Sequence, residues 1–271
     1  MKDLGIRTVV AIALLALLGA IVWFGGWVQV GALTVLSSIA VFEMGRMFKK
    51  KEIHICYPPL FIIALGQYAL LYKLPKYLPA LYAFCFIWVL ADRILCSKRS
   101  SEDTVATLFT VIYPLALFLC FGFFGYDSKD VSRVALLMVF ASPCMADNNA
   151  YIFGSLLGKH KLCPKISPNK TVEGFIAGII GGPLGGVIVY FLQKIWGPEV
   201  QVHWAWLVGI GFAGGFIGQL GDLFASTFKR WSGIKDFGKI FSKHGGVMDR
   251  LDSALAFAPF VAAVFYYLIR K

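Results

Sequence analysis

The residues best suited to chemistry lie between Gly221 and Asp252, where four Asp, four Lys, two Arg and one His fall within 32 positions. The carboxylates are Asp222, Asp236, Asp249 and Asp252. The cations are Lys229, Arg230, Lys235, Lys239, Lys243 and Arg250, with His244-Gly245-Gly246 among them. Spacing groups these residues. Asp222, Ser226 and Lys229 recur at steps of four and three, and Asp249 and Asp252 stand three apart, so each set shares one helix face. Carboxylates held close together repel unless some take up protons. A hard divalent cation, shared between one or two carboxylates and substrate phosphates, removes that conflict, and Mg²⁺ is the usual choice. The competing arrangement pairs each Asp with a neighbouring Lys or Arg as a structural ion pair. A second polar group contains Lys165, Ser167, Asn169 and Lys170, and Asp147 stands alone at the end of an apolar stretch. Lys and Arg clamp phosphoryl oxygens, and glycine lets a backbone approach a phosphate closely. His244 serves equally well as a structural donor or as a catalyst.

The elements that must position these groups are membrane helices. The chain is 58% hydrophobic and 15% charged, with a mean hydropathy of +0.73, whereas soluble domains are about 25% charged. A spanning helix takes roughly 20 apolar residues. Apolar runs at 4–24, 27–47, 57–72, 77–96, 104–125, 131–153, 172–196, 204–228 and 251–269 predict an all-α polytopic membrane protein of about nine transmembrane helices. The run from Val9 to Phe24 is read as the first helix, because spans follow it at once and no clear small-residue cleavage site ends it. With the N-terminus in the cytoplasm and the C-terminus outside, 19 of the 26 Lys and Arg residues fall on the inner side, in accord with the positive-inside bias. The net charge of +11 is accordingly assigned to cytoplasmic loops and anionic lipid, with no nucleic-acid partner. The long inner loops 154–171 and 229–250 hold the polar groups. The six cysteines form no CxxC pair and read as small apolar packers.

Three segments follow from this count: N-terminal helices in 1–73, middle helices in 74–153 with an expected dimer contact, and C-terminal helices with the catalytic loops in 154–271. Gly174, Gly178, Gly182 and Gly186 recur every four residues, with Gly181 and Gly185 beside them. Gly211 with Gly215, and Gly214 with Gly218, continue the pattern to Asp222. Small residues at that spacing let membrane helices approach closely and so give rigid support to the polar residues at their ends.

The polar motifs carry a resemblance. Ser226, Phe228, Lys229, Arg230, Lys235, Asp236, Gly238, Phe241, His244, Gly245, Gly246, Asp249, Arg250, Leu251 and Asp252 stand in a long gapped pattern. It is similar to the signature of the phosphatidate cytidylyltransferases, or CDP-diacylglycerol synthases. Asp147, Ala150, Tyr151, Gly154, Gly158 and Lys159 resemble a second family motif, and Ile166, Ser167, Pro168, Lys170, Thr171, Glu173 and Gly174 a third. The resemblance covers about residues 145–255; the first half agrees only as a set of apolar spans. Asn148-Asn149 stand where the family usually has Thr-Gly, Ala225 where Glu is common, and Ser242-Lys243 where Pro-Gly usually precedes the His.

Compact length and short loops suit a bacterial inner membrane, and what the resemblance implies is a dimeric membrane enzyme, with a site facing the cytoplasm, that joins CTP to phosphatidate and releases pyrophosphate. Its cofactor would be Mg²⁺, with K⁺ beside it. In that reading Asp222, Asp249 and Asp252 face the metal. Lys229, Lys235, Asp236 and His244 join Asp222 and Asp249 as catalytic residues, and Asp147, Ser167, Lys170, Ser226, Arg230 and Arg250 contact substrate. Two other functions use similar residues: CTP-dependent transfer to another lipid, and anion transport. Transporter sites tend to lie near the bilayer midplane between repeated halves, whereas these polar residues gather at one face.

Overall fold

The computed structural model describes residues 24–124, 129–196, 201–241 and 245–266. The expected first span, 4–24, lies outside the described residues but for its last position, and so does His244. Eight long helices follow: α1 (Gly26–Lys49), α2 (Tyr57–Lys73), α3 (Leu78–Leu95), α4 (Ser101–Phe123), α5 (Lys129–Leu157), α6 (Val172–Trp196), α7 (Trp204–Trp231) and α8 (Val247–Val264). Each expected span from 27–47 onward therefore coincides with a helix. Among the described residues, five stretches are long and apolar enough to cross a membrane: Gly26–Lys49, Pro75–Leu95, Ser101–Phe123, Val172–Ile195 and Trp204–Trp231. The other three differ for physical reasons. α2 has only 17 residues, α5 contains Lys129, Asp130, Arg133 and Asp147, and α8 opens on Asp249, Arg250 and Asp252.

Local sequence sets the helix ends. Pro58 and Pro59 open α2, where a missing N–H costs nothing. Ser100 and Asp103 form a reciprocal cap on α4: the Asp103 amide donates to Ser100 Oγ at 3.0 Å, and the Ser100 amide to Asp103 Oδ2 at 2.9 Å. Pro114 cannot donate within α4, and the helix is kinked there: Tyr113, just before it, takes φ −124° and ψ 105°, outside the helical region.

One element was not expected from the sequence. Lys161–Cys163 (β1) and Ser167–Thr171 (β2) form a small antiparallel ribbon, with Lys161 opposite Thr171 and Cys163 opposite Ser167. Its strands show no clear alternation, and Pro168 sits inside β2. A two-stranded ribbon has only edge strands, so a proline that donates no hydrogen bond is tolerated.

The structure divides into two compact units. The first comprises the described parts of Met1–Tyr126 and Ser232–Arg250, which are α1 to α4, the loop after α7 and the first turn of α8. Its core buries Met44, Met47, Leu60, Ile63, Tyr68, Leu115 and Phe118, together with Phe237 and Met248 from the loop segment. The second comprises the described parts of Asp127–Trp231 and Leu251–Lys271. Here the glycine ladder is a helix seam. A Cβ on Gly182 would strike the carbonyl of Gly211 and come within 2.8 Å of the Gly215 amide; one on Gly215 would come within 2.8 Å of the Gly178 carbonyl. α6 and α7 therefore touch backbone to backbone, the arrangement small residues four apart permit. Ile180, Phe191 and Ile195 of α6 face outward as exposed apolar side chains, as a lipid environment allows.

Candidate active site

The second unit gathers six of the expected site residues. α7 presents Asp222, Ser226 and Lys229 on one face, and Ser226 Oγ lies 3.5 Å from Asp222 Oδ1. Lys170, near the end of β2, places its Nζ 2.6 Å from Asp222 Oδ2. Lys229 Nζ lies 3.8 Å from Asp252 Oδ2, and both residues are buried. Asp147 of α5 is within electrostatic reach of Lys170 and Asp222, and Asp252 within reach of Asp222, Lys229 and Asp147. Three carboxylates thus face two ammonium groups, and the buried Lys229–Asp252 pair is longer than a hydrogen bond. Desolvating each ion costs several kcal/mol, so three carboxylates and two ammonium groups are an expensive set to gather in an apolar unit.

The ribbon explains how Lys170 reaches the cluster. Glu173, in the first turn of α6, accepts from the amides of Lys159 at 3.1 Å and His160 at 3.3 Å, and its Oε1 lies 2.7 Å from His160 Nδ1. Thr171 Oγ1 accepts from the Gly174 amide at 3.1 Å. These bonds pin the base of the ribbon to α6. Arg230 Nε donates to the carbonyl of Ile166 at 3.1 Å, which ties the end of α7 to the ribbon turn beside Ser167. Ser167 and Arg230 therefore flank the ribbon turn, where Arg230 is anchored through its Nε.

The first unit holds the remaining site residues, in a different setting. Asp249 Oδ2 accepts three backbone amides: Phe237 at 2.8 Å, Gly246 at 2.9 Å and Gly238 at 3.3 Å. Phe241 N donates to Gly245 O at 3.0 Å, and Gly245 takes a φ of 80°, a left-handed conformation that suits glycine. Lys235, Asp236 and Lys239 are exposed along this loop, and Arg250 is exposed in the first turn of α8.

Two further participants lie outside the sequence motifs. Glu43 of α1 accepts from Val247 N at 2.9 Å and Met248 N at 2.8 Å, and Arg46 donates to the carbonyl of Phe237. The available signal was the ionisable Glu43 inside the apolar run 27–47, because such residues are costly in a membrane and mark function by default.

Among the described residues no three His, Cys, Asp or Glu side chains form a group that would hold a metal ion. The cluster in the second unit does offer three carboxylates, Asp147, Asp222 and Asp252, to two lysines. That donor set fits an ion such as Mg²⁺, which takes one or two carboxylates and completes its shell with water and substrate phosphate.

The cytidylyltransferase family profile matches residues 5–268. A phosphatidate cytidylyltransferase of Staphylococcus aureus (strain COL) is 34% identical over 259 residues, covering 94% of this chain and 96% of that protein. Those named phosphatidate cytidylyltransferase in Staphylococcus haemolyticus and Staphylococcus epidermidis are each 35% identical, again over 94% of this chain and 96% of theirs. Both the match along nearly the whole length and the charged cluster at its C-terminal end have one explanation: the chain belongs to the cytidylyltransferase family.

Proposed function

We propose that the protein is a membrane-embedded phosphatidate cytidylyltransferase, which converts CTP and phosphatidate to CDP-diacylglycerol and pyrophosphate. The observation that carries this reading is the cluster of Asp147, Lys170, Asp222, Ser226, Lys229 and Asp252 within one helical unit. A phosphate oxygen of phosphatidate attacks the α-phosphorus of CTP, a new P–O bond forms, and the bond to the β-phosphate breaks as pyrophosphate departs. The attacking oxygen is already anionic, so no strong general base is required. The barrier is the approach of one polyanion to another, and catalysis rests on positioning and charge neutralisation.

Lys170 and Lys229 are held by carboxylates and available to phosphate. An incoming phosphoryl oxygen competes with Asp222 or Asp252 for each ammonium group, and the displaced carboxylate turns to a cation. Mg²⁺, with K⁺ beside it, would neutralise the triphosphate from Asp222 and Asp252, with Asp147 completing the wall. Asp249 was expected to share this role; its Oδ2 is committed to three amides, so we assign it to holding the loop. Ser167, Ser226, Lys235, Arg230 and Arg250 contact substrate oxygens, and Asp236 and His244 orient them. Mn²⁺ binding followed by paramagnetic resonance tests the metal assignment apart from turnover: Asp222→Asn should weaken binding, and unchanged binding would remove Asp222 from the metal's ligands.

In the membrane, we place nine helices with the N-terminus and the site on the cytoplasmic side of a bacterial inner membrane, and a homodimer formed through 74–153. The distribution of Lys and Arg, 19 of 26 on that side, supports the orientation. The test of function is pyrophosphate release by the purified protein in detergent, with CTP, phosphatidate and Mg²⁺ each omitted in turn. Release that needs all three supports the reading. Release only with another lipid phosphate would reassign the acceptor. No release with any lipid, alongside anion uptake by sealed vesicles, would replace the enzyme with a transporter.

A further inference from the structure

We propose that Glu43 and Arg46 are positioning residues for this reaction, acting through the loop that carries Lys235 and Asp236 and through the first turn of α8, which carries Arg250. The proposal rests on the cytidylyltransferase reading above. All the groups it invokes lie within the first unit.

Glu43 is 4% exposed on a helix whose other buried side chains are mostly apolar. A buried carboxylate is tolerated only when its charge is met by hydrogen bonds. Each Glu43 oxygen takes one amide, Oε1 from Val247 and Oε2 from Met248. These are the first two amides of α8, which have no partner within the helix, and the positive end of the helix dipole favours a carboxylate there. Arg46, one turn further along α1, takes the carbonyl of Phe237, whose amide is already given to Asp249. The Phe237 backbone is thus gripped on both sides while its ring is fully buried. Five backbone amides and one carbonyl of this segment are held by three side chains, two of them from α1.

Two glycines of the family-like motif become intelligible on this basis. A Cβ on either Gly238 or Gly246 would collide with Glu43 Oε1, and a Cβ on each would also press on the Cα of the other. Glycine at these positions admits the Glu43 carboxylate, in addition to any role in approaching phosphate. Glu43 and Arg46, the two α1 side chains that grip this segment, belong to the N-terminal half of the chain, where the motifs are silent.

A displacement of about 1 Å at a catalytic group is enough to cost up to about 10²-fold in rate. Arg46 is exposed, so Arg46→Ala is expected to fold. It should lower kcat about tenfold with the KM for CTP little changed, and Arg46→Lys should recover most of the loss, since an ammonium still donates to a carbonyl. Glu43→Gln retains one acceptor of two and should fall between wild type and Glu43→Ala. Hydrogen exchange measured in parallel should quicken in the peptides containing Phe237–Gly238 and Gly246–Met248, in the same order. Phe42→Ala, at a neighbouring exposed side chain, is the control expected to match wild type in both readouts. Faster exchange with kcat within about twofold of wild type, or lost kcat with unchanged exchange, overturns the proposal. If the wild-type protein released no pyrophosphate, the reaction itself would fall. The exchange arm would then still decide, by faster or unchanged exchange, whether Glu43 and Arg46 hold the loop.

Discussion

Two regions of this protein use the same residue types for opposite ends. In the second unit, Asp222 and Asp252 face the ammonium groups of Lys170 and Lys229 at 2.6 and 3.8 Å. In the first, Glu43 and Asp249 face backbone amides at 2.8–3.3 Å. A side-chain ion pair has two flexible partners and opens when a ligand competes for either. A carboxylate bonded to amides of a tight loop has partners that move only if the loop unfolds. The first arrangement suits a site that must exchange phosphates, and the second suits a loop that must hold its shape. An Asp in an apolar chain therefore says little about its role until its partner is known.

The most severe test of this difference is Asp222→Asn. It should reduce pyrophosphate release by about 10²- to 10³-fold, the scale seen when one charge-stabilising group is lost from an active site. The melting temperature should change little, because Lys170 and Asp222 remain about a quarter exposed and water screens the orphaned charge. A large drop in melting temperature, with activity scaling to the folded fraction, would show that this pair is as structural as those of the first unit.

Gly246→Ala probes the other side of the comparison. The added methyl would meet the Glu43 carboxylate and the Gly238 backbone, and overpacking of this kind costs about 1–3 kcal/mol. Thermal unfolding should shift downward and activity should fall with it. A variant with wild-type stability and lost turnover would instead assign Gly246 to substrate approach.

Asp249→Asn should act in the same direction and more gently. The amide oxygen still accepts, but without a full charge and with an N–H₂ group where the second oxygen was. The expected loss is about 1–2 kcal/mol of stability, the difference between charged and neutral acceptors. Measured beside Asp222→Asn, it sharpens the contrast: one variant loses mainly rate and the other loses stability as well. Equal melting temperatures for the two would erase the distinction.

The sequence made the helices legible because apolar runs of this length have few other uses, and the expected spans from 27–47 onward each lie on a helix. The glycine ladder was legible for the same reason: a four-residue step encodes one helix face. Among the site residues, Asp222, Ser226 and Lys229 were legible as a set because helical spacing fixed them on a common side. Lys170 and Asp147 stand in the motifs, but Lys170 meets Asp222 through a ribbon whose strands have no period to detect, and Asp147 comes to it from a separate helix, α5. Glu43 was hidden for a different reason. Its partners are backbone amides about 200 positions away, and an amide leaves no mark in the residue types. Asp249 was legible as a charge and illegible as a bond for the same cause.

The smallest expected effect separates packing from chemistry among the glycines themselves. Gly209 and Gly211 lie two positions apart on α7, and only one of them meets a neighbour. A Cβ on Gly211 would come within 2.7 Å of Pro183 Cα on α6, while one on Gly209 would meet nothing within 4 Å. Gly209→Ala should therefore leave activity intact and stabilise the helix by roughly 0.5–1 kcal/mol, because alanine restricts the unfolded backbone without a clash. Gly211→Ala must push α6 and α7 apart, along the seam that leads to Asp222. Its loss of activity should exceed what its loss of stability accounts for, since the seam sets the position of a reacting group. If both variants proved neutral, close helix contact would not be what holds the charged cluster of the second unit, and its frame would have to be sought in the ribbon and α5.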